Sequence, residues 1–287
     1  MENLNGLWEY IKTLFGDSLY DYIKNLIIPI IVFCVGRLSN KLVCKPQLKF
    51  LGTKPNEKWT LYFGNVVIGD PRIKAFDQPG QSNQQYIYGD IESTLIVGDV
   101  FGSWFEKSPE YSRHFISDDT LSGVLLSVGG PKWNAITERL IGAIGSPVKY
   151  EDGYEGLVEV TGNVRYDCKQ SIEGTTRYIT DTGVILVGKQ RYFSDHPLGN
   201  MKSACVIMGY STYGVRLAAE FLKTFKDDKN KFNNLLSNDI SSNSARFCIL
   251  VHGKVKIVSD GEVNVPHIER YEVLTDSKFV EPYLYTY

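Results

Sequence analysis

Two glycine-rich segments hold the residues of this chain whose types and spacing suit the binding of an anion. The first joins two glycines, a proline, a lysine and two polar residues on one helical face: Gly129, Gly130, Pro131, Lys132, Asn134 and Thr137. The second carries two glycines and two hydroxyl side chains: Gly209, Ser211, Thr212 and Gly214. Glycine lets backbone N–H groups approach a phosphate closely, and a lysine beside them adds a positive charge. Together the two segments predict a nucleotide pocket.

Each glycine segment follows an apolar run and precedes a helical pattern. Residues 123–128 come before the first segment and residues 133–144 continue it as a helix. Residues 204–208 and 215–225 stand in the same positions around the second segment. Parallel strands need crossover helices and are buried on both faces. We therefore predict a Rossmann-like parallel α/β core with both segments at the carboxyl ends of its strands, where such sheets bind ligands.

A third unit of the same kind is predicted upstream, with a strand over residues 93–99 and a helix over residues 100–115. Asp99 ends this strand, where it could bind a ribose hydroxyl, act as an acid or base, or cap the following helix. With Glu138 it could form a carboxylate pair of the kind that cleaves N-glycosidic bonds. A solvated glutamate on a helix face is the plainer interpretation of Glu138, and we predict no catalytic residue and no metal site.

The glycines also have an explanation that involves no ligand. Tight strand-to-helix turns require glycine in any α/β fold, and Asn134 and Thr137 would then only cap a helix. Neither segment matches GxGxxG or GxxxxGK[ST], and a short glycine pattern is a weak signal by itself. Both interpretations remain open at this point.

The rest of the chain divides into an N-terminal segment and one large domain. Residues 1–44 are predicted to form an amphipathic helix and a transmembrane helix, and residues 45–287 a single α/β domain. Within that domain β-rich parts are expected at residues 60–92, at residues 150–190 as an insertion, and at residues 245–287 as C-terminal strands, with a hairpin turn at 259–261.

The N-terminal segment contains ten consecutive residues without a polar side chain, residues 26–35. A membrane-crossing helix needs roughly 20 residues, so the flanks must contribute. The preceding flank interrupts its apolar residues with Asp17, Asp21, Lys24 and Asn25. A single span with one polar stripe is the main prediction, and an interfacial helix or a buried core helix are the alternatives.

The charge asymmetry around this segment predicts the orientation of the span. Basic residues follow the apolar run at Arg37, Lys41, Lys45 and Lys49, so the positive-inside rule predicts a single-pass inner (cell) membrane protein whose domain after residue 40 is cytoplasmic. The five cysteines show no CxxC pairing, which suits a reducing compartment. A net charge of −2 argues against nonspecific binding of duplex nucleic acid.

A membrane helix joined to a cytoplasmic domain with these two glycine segments resembles the bacterial anti-phage membrane effectors, among them the Hailong type. It is also similar to Rossmann-like SLOG-type nucleotide sensors and to nucleoside deoxyribosyltransferases. The resemblance covers the whole chain in architecture and about 100 residues in motif, namely 93–145 and 204–225. The chain departs from the enzymes in lacking a catalytic glutamate motif, which favours sensing over hydrolysis.

The resemblance implies a homo-oligomeric pore gated by a nucleotide or oligonucleotide, and a partner enzyme that synthesises this ligand. The polar stripe of the N-terminal helix would then line the pore; its residues are Asp17, Asp21, Lys24 and Asn25. Two other functions remain, a membrane-tethered enzyme that processes nucleotides or nucleosides and a membrane scaffold that recruits a partner.

Overall fold

A computed structural model describes most of the chain from Pro46 onward, and these residues belong to one compact unit. The described residues are 46–64, 83–112, 121–132, 134–151, 156–160, 164–194, 200–240, 243–257 and 266–282. No helix in these ranges is both long enough and apolar enough to cross a membrane. The predicted amphipathic and transmembrane helices, the four pore-lining residues and the hairpin turn at 259–261 lie outside the described residues.

Eleven strands and six α-helices are defined in these ranges. In chain order they are α1 (Pro46–Leu51), β1 (Trp59–Phe63), α2 (Asn83–Gly102), β2 (Glu110–Ser112), β3 (Gly123–Val128), α3 (Ala135–Ile144), β4 (Val148–Tyr150), β5 (Leu157–Glu159), β6 (Arg165–Tyr166), β7 (Lys169–Glu173), β8 (Thr176–Gly188), α4 (Gln190–Phe193), β9 (Met201–Gly209), α5 (Thr212–Asp227), α6 (Lys229–Asn234), β10 (Arg246–Ile257) and β11 (His267–Thr275). A π-helical turn at Leu235–Asp239 extends α6, and a 3-10 turn at Asp276–Lys278 follows β11.

The central sheet is mixed, with a parallel half and an antiparallel half. Its strand order is β11-β10-β8-β9-β3-β1-β2, and β7 pairs in addition with the first part of β8. Strands β2, β1, β3 and β9 run parallel, whereas β8 and β10 are antiparallel to their neighbours. The predicted α/β class is therefore confirmed, and the parallel core comprises β2, β1, β3 and β9, while the other strands of the sheet are antiparallel. Strands β4, β5 and β6 form a separate small antiparallel sheet.

Helices α1, α2, α5 and α6 cover one face of the central sheet. Helices α3 and α4 and the small sheet cover the other face. Successive residues of β8 point to opposite faces, with Ile185 and Val187 packing toward α5, and Val184 and Leu186 toward α3. Because both faces are buried, these strands are continuously apolar rather than alternating. The part that looked like a β insertion thus contributes β8, a central strand of the sheet.

The predicted strand over residues 93–99 is wrong, because these residues lie in the middle of α2. Val97, Val100, Phe101 and Trp104 are buried at spacings of three and four residues, which is the period of a helix. Leu95 is 62% exposed on the opposite side, so the apolar run does not outline a single face. A short apolar run fits a strand and a buried helix equally well, and the tertiary contacts decide between them.

The two other predicted units are confirmed. Strand β3 leads into α3 and strand β9 leads into α5, each through its glycine segment. The expected C-terminal strands are also present as β10 and β11, which pair with each other in antiparallel fashion.

Candidate functional site

The two glycine segments meet at the carboxyl ends of the parallel strands. Strands β3 and β9 are neighbours, with Val128 paired to Ile207, and the Gly129 N–H donates to the Ile207 carbonyl at 2.9 Å. The Tyr150 hydroxyl joins the segments from the small sheet, because it donates to the Gly209 carbonyl at 2.7 Å and lies beside Gly130. The structure thus brings the two glycine segments together at one edge of the sheet.

In the first segment the polar side chains are engaged within the protein. The Asn134 Oδ1 accepts from the N–H groups of Ile136 and Thr137, and its Nδ2 donates to the Ser127 Oγ at 2.9 Å and to the Val128 carbonyl at 3.1 Å. The Thr137 hydroxyl donates to the Gly129 carbonyl at 2.9 Å. Both residues are buried. Their hydrogen-bonding groups close the β3–α3 turn, as the interpretation without a ligand predicts.

Replacing Asn134 with alanine is expected to lower the free energy of unfolding by about 2 kcal/mol, because α3 loses its cap and Ser127 loses a partner. Asn134→Ser retains a cap oxygen and is expected to lose about half as much. Chemical denaturation of the two variants measures the difference. Equal stability of Asn134→Ala and the wild type would contradict this structural role.

The remaining members of the first segment form the turn itself. Gly129 has a φ of 103°, which L side chains rarely adopt. Pro131 is buried and Lys132 half-buried at the start of the turn. The turn therefore depends on Gly129 for its backbone conformation.

In the second segment the glycines let helix α5 begin directly against the sheet. A Cβ on Gly209 would lie 2.5 Å from backbone atoms of Gly214 and Val215. A Cβ on Gly214 would collide with the Thr182 carbonyl of β8, and one on Gly183 with the Gly214 carbonyl. These glycines serve close packing of a helix on a sheet, which is the role of one glycine in dinucleotide-binding turns.

The amino end of α5 is already occupied by a carboxylate, that of Asp181 on β8. Its Oδ2 accepts from the Ser211 hydroxyl at 2.6 Å, from the Ser211 N–H at 3.3 Å and from the Gly214 N–H at 2.8 Å, while its Oδ1 accepts from the Thr182 N–H. Burial raises the pKa of this carboxyl to about 6. A phosphate at the same helix end would meet this negative charge, so the second segment does not offer the phosphate site that the sequence predicts.

A second carboxyl group, that of Asp90 on α2, faces the same edge of the sheet. Its Oδ1 accepts from the Thr212 hydroxyl at 2.9 Å, and its Oδ2 would be 3.5 Å from a Cβ on Gly129. Burial raises the pKa of Asp90 to about 6. No described residue donates a hydrogen bond to this Oδ2. It is therefore an acceptor directed at the glycine turn.

Cys168 borders the same cluster, with its Sγ 4.0 Å from the Ser211 Oγ. Burial and the nearby Asp181 raise the pKa of the thiol to about 12. The thiolate is the reactive form of cysteine, so this residue is a poor nucleophile.

The acidic residues chosen from the sequence do not lie at this edge. Asp99 is on the outer side of α2, where its carboxylate pairs with Lys226 at 2.5 Å and is largely exposed. Glu138 is on α3, which covers the opposite face of the sheet. The Asp99–Glu138 pair that the sequence left open is therefore not formed, and Glu138 stays with its plainer interpretation as a helix-face residue.

Asp90 and Asp181 were missed by sequence reasoning. Asp181 carried one signal, since it is an acid next to the apolar residues of β8, and buried acids need partners. Asp90 gave no signal in the sequence, because it precedes the strand that was predicted over residues 93–99.

Comparison with known proteins adds no assignment to this geometry. No protein-family model matches the chain, and neither a curated protein nor a solved structure is similar enough to count as a match.

Proposed function

We propose that this chain is a membrane effector of bacterial anti-phage defence, an oligomeric pore gated by a nucleotide or oligonucleotide. In this proposal the parallel half of the sheet is a Rossmann-like sensor, and residues 1–44 are the membrane element. The observation that carries it is the convergence of both glycine turns and the Asp90 carboxylate at the carboxyl edge, where open α/β sheets bind ligands.

The chemistry of this edge selects the part of the ligand that would bind there. Asp90 and Asp181 are acceptors, and Asp181 already takes the place of an anion at the start of α5. A hydroxyl or amine group can donate to Asp90 Oδ2, whereas a phosphate would be repelled. The nucleoside part of the ligand is therefore the part expected at this edge.

Coupling to the membrane follows from differential binding. A ligand changes an equilibrium only by the difference of its affinities for the two states. Asp90 connects α2 to the first residue of α5, Thr212, so a ligand that binds Asp90 contacts the junction between these helices. A change in their packing would alter the arrangement of the domains, and hence of the attached N-terminal segments, in an oligomer.

A binding experiment with matched variants tests the sensor. The purified full chain is titrated with adenosine, guanosine, their 5′-monophosphates and short oligoadenylates, and thermal unfolding is measured. At least one probe is expected to raise Tm, and Asp90→Asn is expected to weaken its binding about tenfold because a charged acceptor is lost. Asp99→Asn, on the same helix but paired with Lys226 at the surface, is the control and should bind as the wild type does.

A permeability assay tests the effector part. Expression of the full chain in bacteria is expected to admit a membrane-impermeant dye, and deletion of residues 1–40 or the substitution Asp21→Ala should abolish the uptake. Dye entry that persists without residues 1–40 would contradict the proposal, as would a panel in which no nucleoside-bearing probe binds.

A nucleoside-processing enzyme is the second candidate, favoured by two carboxyl groups with a pKa near 6 at one edge. A pKa close to neutral suits a general acid or base. The full chain would then consume NAD or nucleosides, and both Asp90→Asn and Asp181→Asn would lower the rate at least 100-fold. Turnover that survives both substitutions, or no turnover at all, would exclude this function. Binding without turnover would favour the sensor.

A further inference from the structure

A cavity of about 690 Å³ lies at the end of the sheet opposite to the glycine turns. Lys189, one of its lining residues, follows Gly188, which pairs with Ala204 near the start of β9, whereas the glycine turns follow the end of that strand. The cavity is lined by residues of α1 and the position after it, of the β8–α4 connection and α4, and of α6 with the π-helical turn and the position that follows: Lys49, Gly52, Lys189, Arg191, Asn233, Leu236, Ser237 and Ile240. Its volume is in the range of sites that bind small organic molecules.

The described residues of this lining carry charge of one sign. Three of them are cations, Lys49, Lys189 and Arg191, and none of the described lining residues is acidic. Among the described residues, none of these three forms an ion pair. A cleft lined by one sign of charge focuses the electric field and raises the local concentration of counter-ions. This arrangement favours an anionic ligand over a neutral or cationic one.

Lys189 gives the strongest indication of a ligand, because only 6% of its surface is exposed. Its Nζ lies 5.4 Å from the centre of the Phe247 ring, and no described group accepts a hydrogen bond from it. Burial and the neighbouring Arg191 lower the pKa of this ammonium group. Asp276 is the acid that acts against this lowering of the Lys189 pKa. Its carboxylate already accepts from the N–H groups of Ala245 and Arg246 at 2.9 Å each. The stem of Lys189 is thus buried, while its ammonium group has no described acceptor and is available to an anion in the cavity.

The shape of the lining narrows the chemistry of that ligand. Leu236 and Ile240 give the cavity an apolar wall, and Asn233 and Ser237 add uncharged polar groups. The turn that carries Leu236 and Ser237 is π-helical, and such turns are frequent at functional sites. The space exceeds what a bare phosphate ion needs. An organic molecule that joins one or more phosphate groups to an uncharged part fits this arrangement.

We propose that this cavity is a binding site for a phosphorylated small molecule, with Lys189 and Arg191 on the phosphate and the wall of Leu236 and Ile240 against its uncharged part. The phosphate can belong to a soluble metabolite or to a lipid headgroup, and both present the same chemistry to these cations. The site is separate from the carboxyl edge and stands whether or not that edge binds a nucleoside.

Calorimetric titration of the full chain in detergent tests the site. The probes are inorganic pyrophosphate, glucose 6-phosphate and a short-chain phosphatidic acid below its micelle concentration; none contains a nucleoside. At least one probe is expected to bind, and Lys189→Met combined with Arg191→Gln should weaken it tenfold or more. Lys256→Met removes one exposed charge from β10 and should leave the affinity unchanged, as should Asp90→Asn at the carboxyl edge.

A second double variant distinguishes a loss of binding from misfolding. Lys49 and Arg191 are both exposed, so Lys49→Gln with Arg191→Gln leaves the buried lysine in place and should still weaken binding about tenfold. Preference for glucose 6-phosphate or for phosphatidic acid identifies the soluble or the lipid source. The proposal is overturned if none of the probes binds, or if the probe that binds does so equally well in the wild type and in both combined variants.

Discussion

Gly209→Ala is expected to lower the free energy of unfolding by about 3 kcal/mol. The added Cβ would lie 2.5 Å from the Gly214 carbonyl carbon and from the Val215 nitrogen. These are backbone atoms of the first turn of α5, so no side chain can rotate away. Relief requires α5 to move off β9, and overpacking of this kind costs about 1–3 kcal/mol or more. Urea denaturation measures the loss.

Gly102→Ala is the matched control. Gly102 is the last residue of α2, and a Cβ there would meet no atom within 4 Å. Alanine has the higher helix propensity, so this substitution should be neutral or stabilise by up to about 1 kcal/mol. If Gly209→Ala and Gly102→Ala had the same stability, the close approach of α5 to the sheet would be refuted.

Asp181→Ala is expected to destabilise by about 3–4 kcal/mol at pH 7, because it leaves two buried N–H groups and one partly buried hydroxyl without an acceptor. Those donors are the Ser211 hydroxyl and the N–H groups of Thr182 and Gly214. The control is Asp228→Ala, which removes an exposed cap from the short helix α6 and should cost about 1 kcal/mol. A loss at Asp181 no larger than at Asp228 would show that the carboxylate does not hold α5.

The buried carboxyls also predict the sign of the pH dependence. The pKa values of Asp90 and Asp181 are raised from 3.8 to about 6 in the folded protein. Between these values the folded state binds more protons than the unfolded state, so their contribution to stability is fully present below about pH 4 and is lost as pH rises through about 6. Asp90→Asn should therefore flatten this part of the stability profile, measured as Tm from pH 4 to 7. An equally steep profile in Asp90→Asn would contradict the raised pKa of that residue.

The local signals in the sequence identified the elements of the site better than its chemistry. Asn134 as the cap and apolar residues at helical spacing both predict α3. Both signals lie within about ten consecutive residues. The same holds for Ser211 at the start of α5. The sequence did not predict α2, because the apolar residues of this helix are spread around its axis. Leu95 is exposed and Val97 is buried, so the spacing of apolar residues does not favour a helix over a strand.

Local signals in the sequence did not show which carboxylates would face the glycine turns. Asp99 ends an apolar run and looked well placed, yet α2 turns it toward Lys226 at the surface. Asp90, nine positions earlier on the same helix, reaches the edge of the sheet. A difference of two to three helical turns decides which of the two carboxylates faces the glycine turns, and that register is set by packing against α5.

By itself the sequence determined the α/β class, the strands that end at the glycine turns and the two helices that follow them, because each depends on neighbouring residues. Only the tertiary structure decided what the turns can bind. The carboxylate at the start of α5 comes from a residue 30 positions away, and the partner of Thr212 is 122 positions away. The cations that line the cavity, Lys49, Lys189 and Arg191, likewise come from segments far apart in the chain. Such contacts leave no local pattern, because burial and charge pairing arise only when distant segments pack together.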